Sequence, residues 1–362
     1  MNTLQITSSK EKCFELHINL WESEKNDIQS LDIGLFCPLE DHSYNLVIKI
    51  PENHDINDFQ DLYEEMKDDE TSRNIFNCYV QVTPGKYCSY ALRNEEGKEP
   101  SFILLPVSKD NVQKDDDGLV VNVNIPSKTD LVEVEESVFI ENVKKSSQIY
   151  IRLRINNIKK QFYSVYSEPI NKPFESGYEQ NEIIDFRVND IKLLDECTQK
   201  KLITQKVSFS RIHFLLICDF EKNIVQYNGS LKSRLFEQSR WNKYLPKPLA
   251  AEQKMHNLDI VLEEARSFRS VSVVPELLVM IARLLVRLSQ KKEANHTMIA
   301  YHMKTENVAT SSFLFKIHYK KSSGSHLFLY AVLIIILAIV ANAIWTLIWT
   351  CFEEPYVVYV GV

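Results

Sequence analysis

Apolar and polar positions alternate in short runs through most of the chain, the period of strands with one face buried. In the first half these runs are CFELHINLW (13–21), YNLVIKI (44–50), IFNCYVQV (75–82), SFILLPV (101–107) and LVVNVNI (119–125). They continue as QIYIRLRI (148–155), FYSVY (162–166), EIIDFRV (182–188), MIAYHMK (298–304) and SFLFKIHYK (312–320). RIHFLLICDF (211–220) is apolar almost throughout, which places it at the centre of a sheet.

Three stretches carry a helical period instead. From Ile56 to Glu70, Phe59, Leu62, Tyr63 and Met66 form a stripe at spacings of three and four on an acidic background. From Ser230 to Leu245 the pattern predicts an amphipathic basic helix. From Pro275 to Glu293 it predicts a core helix, opened by proline and closed by Lys291 and Lys292, which suit a helix carboxyl terminus.

One run differs from all of these. Between Leu327 and Phe352 there is no charged residue, and a helix of about 20 such residues spans a hydrocarbon core of about 30 Å. The reading is a single-pass membrane protein anchored by its carboxyl-terminal tail. Lys316, Lys320 and Lys321 precede the run, while the residues after it carry Glu353 and Glu354 and no Lys or Arg, so the amino-terminal domains are expected in the cytoplasm and the tail outside.

Composition refines the layout. The fold class expected is α+β: a β-rich cytosolic region in two domains, then one transmembrane helix. Residues 1–145 carry 14 Lys and Arg against 29 Asp and Glu, and the remainder 28 against 20. That asymmetry suggests an acidic, mainly antiparallel β domain over 1–145 and a basic, membrane-proximal α+β domain over 146–321. A short linker (322–326), the transmembrane helix (327–352) and a short extracytoplasmic tail (353–362) complete the division. The seven cysteines are odd in number and dispersed, as expected of thiols in a reducing compartment.

Few motifs of recognisable chemistry occur along the chain. Eight glycines in 362 residues, about 2% where about 7% is usual, speak against phosphate cradles that need an unobstructed backbone. No GxGxxG, GxxxxGK[ST] or GxSxG motif occurs, and no cysteines fall in a CxxC pair. His296 and His302, six apart on a strand, are too distant to share a metal. No metal and no cofactor is therefore expected, and enzymatic activity is disfavoured. The weak catalytic candidates are Asp185, Asp190 and Lys192 in EIIDFRVNDIK, where paired carboxylates and a lysine meet only the minimum requirement of a metal-dependent nuclease.

Two further groups invite contact. Lys232, Arg234, Arg240, Trp241 and Lys243 could meet anionic lipid or nucleic acid. Ala331, Ala338, Asn342, Trp345 and Trp349 share one stripe of the apolar run and could associate membrane helices into an oligomer. The functional expectation is a non-enzymatic binding or sensing module at a bilayer, with an unknown cytosolic protein or ligand and with itself as partners. The alternatives are a membrane-perturbing oligomeric effector of stress or antiviral defence, and a nuclease.

Overall fold

The computed structural model describes residues 2–23, 28–52, 54–83, 87–93, 101–115, 117–132, 143–167, 179–241, 243–246, 297–320, 338 and 340–349. Its strands are β1 (Thr3–Ser8), β2 (Cys13–Ser23), β3 (Ile28–Pro38), β4 (Tyr44–Pro51), β5 (Phe59–Asp61), β6 (Tyr79–Thr83), β7 (Cys88–Arg93), β8 (Ser101–Leu104) and β9 (Val112–Asp115). They continue as β10 (Gly118–Ile125), β11 (Gln148–Asn156), β12 (Ser164–Ser167), β13 (Glu179–Val188), β14 (Ser208–Asp219), β15 (Asn223–Tyr227), β16 (Leu231–Phe236), β17 (Met298–Val308) and β18 (Ser311–Lys320). Among the described residues helices are few and short, so this part of the chain is β-rich as its alternation predicts.

Two mixed sheets form. The smaller runs β15-β18-β13-β1-β4-β10-β9 with β12 beside β13, and the larger runs β16-β17-β14-β2-β3-β11-β8-β7-β6 with β5 beside β11. Most neighbours are antiparallel, but β1 lies parallel to β13, β2 to β14 and β8 to β11. The apolar strand β14 does sit inside a sheet, between β2 and β17.

Alternation explains how the larger sheet uses its two faces. On β2, Phe14, Leu16, Ile18 and Leu20 point one way and are wholly buried. Ile149, Ile151, Leu153 and Ile155 of β11 are likewise wholly buried. On β14, Phe214 stacks on Phe313 of β18 at 4.7 Å and meets Phe186 of β13 at 5.2 Å, so the two sheets share this core. Burial of such side chains contributes roughly 1.5–3 kcal/mol each. The opposite face carries Glu15, His17, Asn19 and Trp21 on β2. There a second cluster forms, in which Trp21, Phe36, Met66, Tyr90, Phe102, Tyr150, Trp241 and Tyr244 are buried.

Several expectations need correction. The helix predicted from Ile56 to Glu70 is broken: a 3-10 turn at Ile56–Asp58 leads into β5, then helices at Tyr63–Met66 and Asp69–Phe76. Asp55 accepts a bond from the Asn57 amide and Asp68 from the Thr71 amide, so aspartates start new turns where a continuous helix would need neutral spacers. The basic helix predicted from Ser230 to Leu245 is instead β16, which pairs antiparallel with β17, followed by a 3-10 turn at Gln238–Trp241. Partnership with β17 outweighs the local helical period. The boundary at 145 cuts across both sheets, because β2 pairs with β14, β1 with β13 and β3 with β11. By contacts the chain divides instead into residues 1–165 with 182–317, and a small unit of 166–181 with 318–362.

The transmembrane helix is also corrected: no helix among the described residues is long and apolar enough to cross a membrane. Within 327–352, helix is described for Ala338 and for Val340–Trp349. The stretch Pro275–Glu293, the linker 322–326, Ala331 and the tail 353–362 lie outside the described residues.

Candidate functional site

Strand register on the larger sheet sets out the site row by row. Arg152 of β11 lies opposite Gly34 of β3, Gly34 opposite His17 of β2, His17 opposite His213 of β14, and His213 opposite Lys304 of β17. The next row reads Arg154, Asp32, Asn19, Leu215, His302 and Lys232 across β11, β3, β2, β14, β17 and β16. On the other side come Phe36, Glu15, Arg211 and Glu306. Polar groups from strands far apart in sequence are thus gathered on one sheet face.

A cleft of about 630 Å³ opens over these rows. Its floor is formed by Glu15, His17, Asn19, Arg152, His213 and His302, with Arg211, Lys232 and Arg234 toward the β16 side. Asn74, Phe76 and Asn77, at the end of the helix Asp69–Phe76, supply a wall together with Trp241. That wall is fastened where Asn74 Nδ2 donates to the Arg240 carbonyl at 2.9 Å.

Beneath the cleft lies a buried ionic network. Asp32 accepts from Arg154 Nε at 2.6 Å and Nη2 at 3.0 Å, from Trp21 Nε1 at 2.8 Å and from the Tyr244 hydroxyl at 2.7 Å. Burial opposes charge on Asp32, but Arg154 and Arg152 beside it hold its carboxyl below the usual range. Arg152 donates from Nε to Tyr244 and from Nη1 to the Tyr150 hydroxyl at 2.7 Å, and its Nη2 lies 2.8 Å from the Asn19 amide oxygen when that amide is turned to present it. One carboxylate therefore serves two fully buried guanidiniums. The cluster retains positive charge facing the cleft.

Three histidines occupy the floor. His17 Nε2 lies 3.2 Å and His213 Nε2 3.6 Å from Glu15 Oε1, while His213 Nδ1 is 3.1 Å from His302 Nε2 with the two rings stacked. Burial lowers all three. Next to burial, the His17 charge weighs on His213, which falls to about 4, and Arg234 and Lys232 weigh on His302. For Glu15, burial would raise the carboxyl, but His17, His213 and Arg211 bring it below its ordinary value. Near neutral pH the floor is three neutral imidazoles around one carboxylate.

The residues singled out in the sequence are distributed unevenly. Lys232 and Arg234 do line the cleft, and neither has an ion-pair partner among the described residues. Arg240 pairs with Glu237 at 2.5 Å and Lys243 with Asp68 at 2.6 Å. Trp241 is only 7% exposed and packs its ring against Trp21, Phe236 and Tyr244, so it belongs to the wall and is not free to stack on a base. Asp185 and Asp190 both pair with Arg187, at 2.5 and 2.9 Å. Lys192 is exposed, and its amide donates to Asp190. On the described part of the apolar run, Ala338, Asn342, Trp345 and Trp349 are exposed, with the two indole rings 6.4 Å apart.

Sequence reasoning missed Glu15, His17, His213 and Arg152. The available signal was polar residues at alternate positions of otherwise apolar strands, Glu15-Leu-His17-Ile-Asn19 and Arg152-Leu-Arg154. His302, set aside for its distance from His296, finds its partner on β14.

No protein-family model matches the chain, and comparison with curated proteins finds no similar one.

Proposed function

We propose that the chain is a binding module whose larger sheet receives a small phosphate-bearing ligand in this cleft. The observation carrying the reading is the imbalance of charge: Arg152, Arg211, Lys232 and Arg234 face the cavity, and Glu15 is the one carboxylate among the described residues lining it. Arg211 reaches Glu306 only at 4.0 Å with both side chains more than half exposed, a contact of little energy. Cationic side chains held against low-dielectric walls concentrate an anion, and guanidinium forks match phosphate oxygens. The cavity lies within the usual range of about 300–1,000 Å³ for small-molecule sites. Phe36, Phe76 and Leu92 line the same space and offer apolar contact to the uncharged part of such a ligand.

Thermal unfolding tests this reading. A ligand present at about 100 times its dissociation constant stabilises the folded state by about 2.7 kcal/mol. Pyrophosphate or adenosine monophosphate should raise the melting temperature of the full chain, while matched sodium chloride should not. Equal shifts with both salts would count against the proposal.

A further inference from the structure

The same floor carries a second arrangement that charge alone does not require. Glu15 and His17 are two apart on β2, which places both on one face, and His213 comes from the in-register position of β14. Their donor atoms all lie within 4.8 Å of one another. Both imidazole Nε2 atoms converge on a single carboxylate oxygen, at 3.2 and 3.6 Å. Ligands at about 2.0–2.2 Å from a tetrahedral ion stand about 3.4 Å from each other, so these separations bracket what a shared metal demands.

The outer contacts fit as well. A ligating histidine normally uses its second nitrogen to hold its orientation. His213 Nδ1 faces His302 Nε2 at 3.1 Å, and His17 Nδ1 faces the Tyr150 hydroxyl at 3.5 Å. Glu15 and His213 keep about a quarter of their side-chain surface open, 23% and 24%, so the site is reached from the cleft.

We infer that Glu15, His17 and His213 bind a divalent transition-metal ion of the zinc type, with the cleft side left for an anionic oxygen to complete the coordination. Two nitrogens and one oxygen suit zinc and disfavour calcium or magnesium, which require oxygen donors. The neighbouring Arg152 and Arg211 would repel a bare cation, and the Glu15 carboxylate between the two imidazoles offsets that repulsion. The inference does not rest on the phosphate reading, which needs only the lysine and arginine side chains.

The test is calorimetric titration of the full chain, stripped with chelator, with zinc chloride alone, followed by cobalt substitution to read the visible ligand-field spectrum. One equivalent should bind, with Glu15→Gln and His213→Ala each weakening it more than about tenfold and His302→Ala weakening it by about tenfold through loss of orientation. Circular dichroism of each variant separates loss of ligands from loss of fold. If a variant unfolds, an anomalous-scattering peak beside Glu15 Oε1 in zinc-soaked crystals of the unaltered chain decides the matter. Absence of binding, binding undiminished in folded variants, or a peak elsewhere would overturn the assignment. Zinc binding that survives Lys232→Ala with Arg234→Ala, while pyrophosphate binding does not, supports both readings. Pyrophosphate binding without zinc binding overturns the metal site alone.

Discussion

Gly34 of β3 and Arg152 of β11 are cross-strand partners, and a methyl group on Gly34 would stand 2.8 Å from Arg152 Nη1 while overlapping the Tyr150 hydroxyl. Glycine here is a window. With no side chain on β3, Arg152 and Tyr150 lean across that strand toward His17 on β2. Gly34→Ala is therefore expected to destabilise the fold by about 1–3 kcal/mol through overpacking and to displace Arg152 from the cleft. Urea unfolding measures the first effect, and ligand affinity the second.

Asp32 is the anion on which the buried guanidiniums depend. Removing one partner of a buried pair leaves the other charge uncompensated, at a cost of about 3–5 kcal/mol. Asp32→Ala should lower the unfolding free energy by that order, and far more than Asp115→Ala, whose partner Lys49 is a surface contact. A loss below about 1 kcal/mol would show that water enters the network.

The histidine floor predicts a pH dependence. His213 lies beside Glu15 and His17 of β2 and beside His302 and Lys304 of β17. In the unfolded chain it takes a proton near 6.5, whereas the folded chain resists protonation until about 4. Between these values the unfolded state binds more protons, so stability falls as pH drops through the window. His17 and His302 are shifted the same way and add to the slope. Chemical unfolding at pH 7, 6, 5 and 4 should show this slope, and His213→Gln should flatten part of it. The remaining slope belongs to the other histidines and to paired carboxylates.

How much of this was legible beforehand depends on the residue. Alternation located β2, β4, β10, β11, β13, β14, β17 and β18, because one buried face imposes a period of two that neighbours cannot erase. The stretches Thr3–Ser8 and Ile28–Pro38 passed unnoticed, the second because buried Asp32 and Gly34 interrupt its apolar run. Those two residues are the ones the site needs. Lys232 and Arg234 were identified as anion contacts with the wrong element beneath them, since their basic charge is local information and their pairing with β17 is not. The Glu15, His17 and His213 cluster could not be read from spacing, because its members meet only through the parallel pairing of β2 with β14.

Isothermal titration calorimetry of the full chain with pyrophosphate, repeated for the Lys232→Ala and Arg234→Ala double variant, bears most directly on the function. An anion cleft predicts one binding site that weakens with added salt and loses about tenfold or more in affinity when the two charge-assisted contacts are removed. No heat of binding with the unaltered chain, or the same affinity in the double variant, would contradict it.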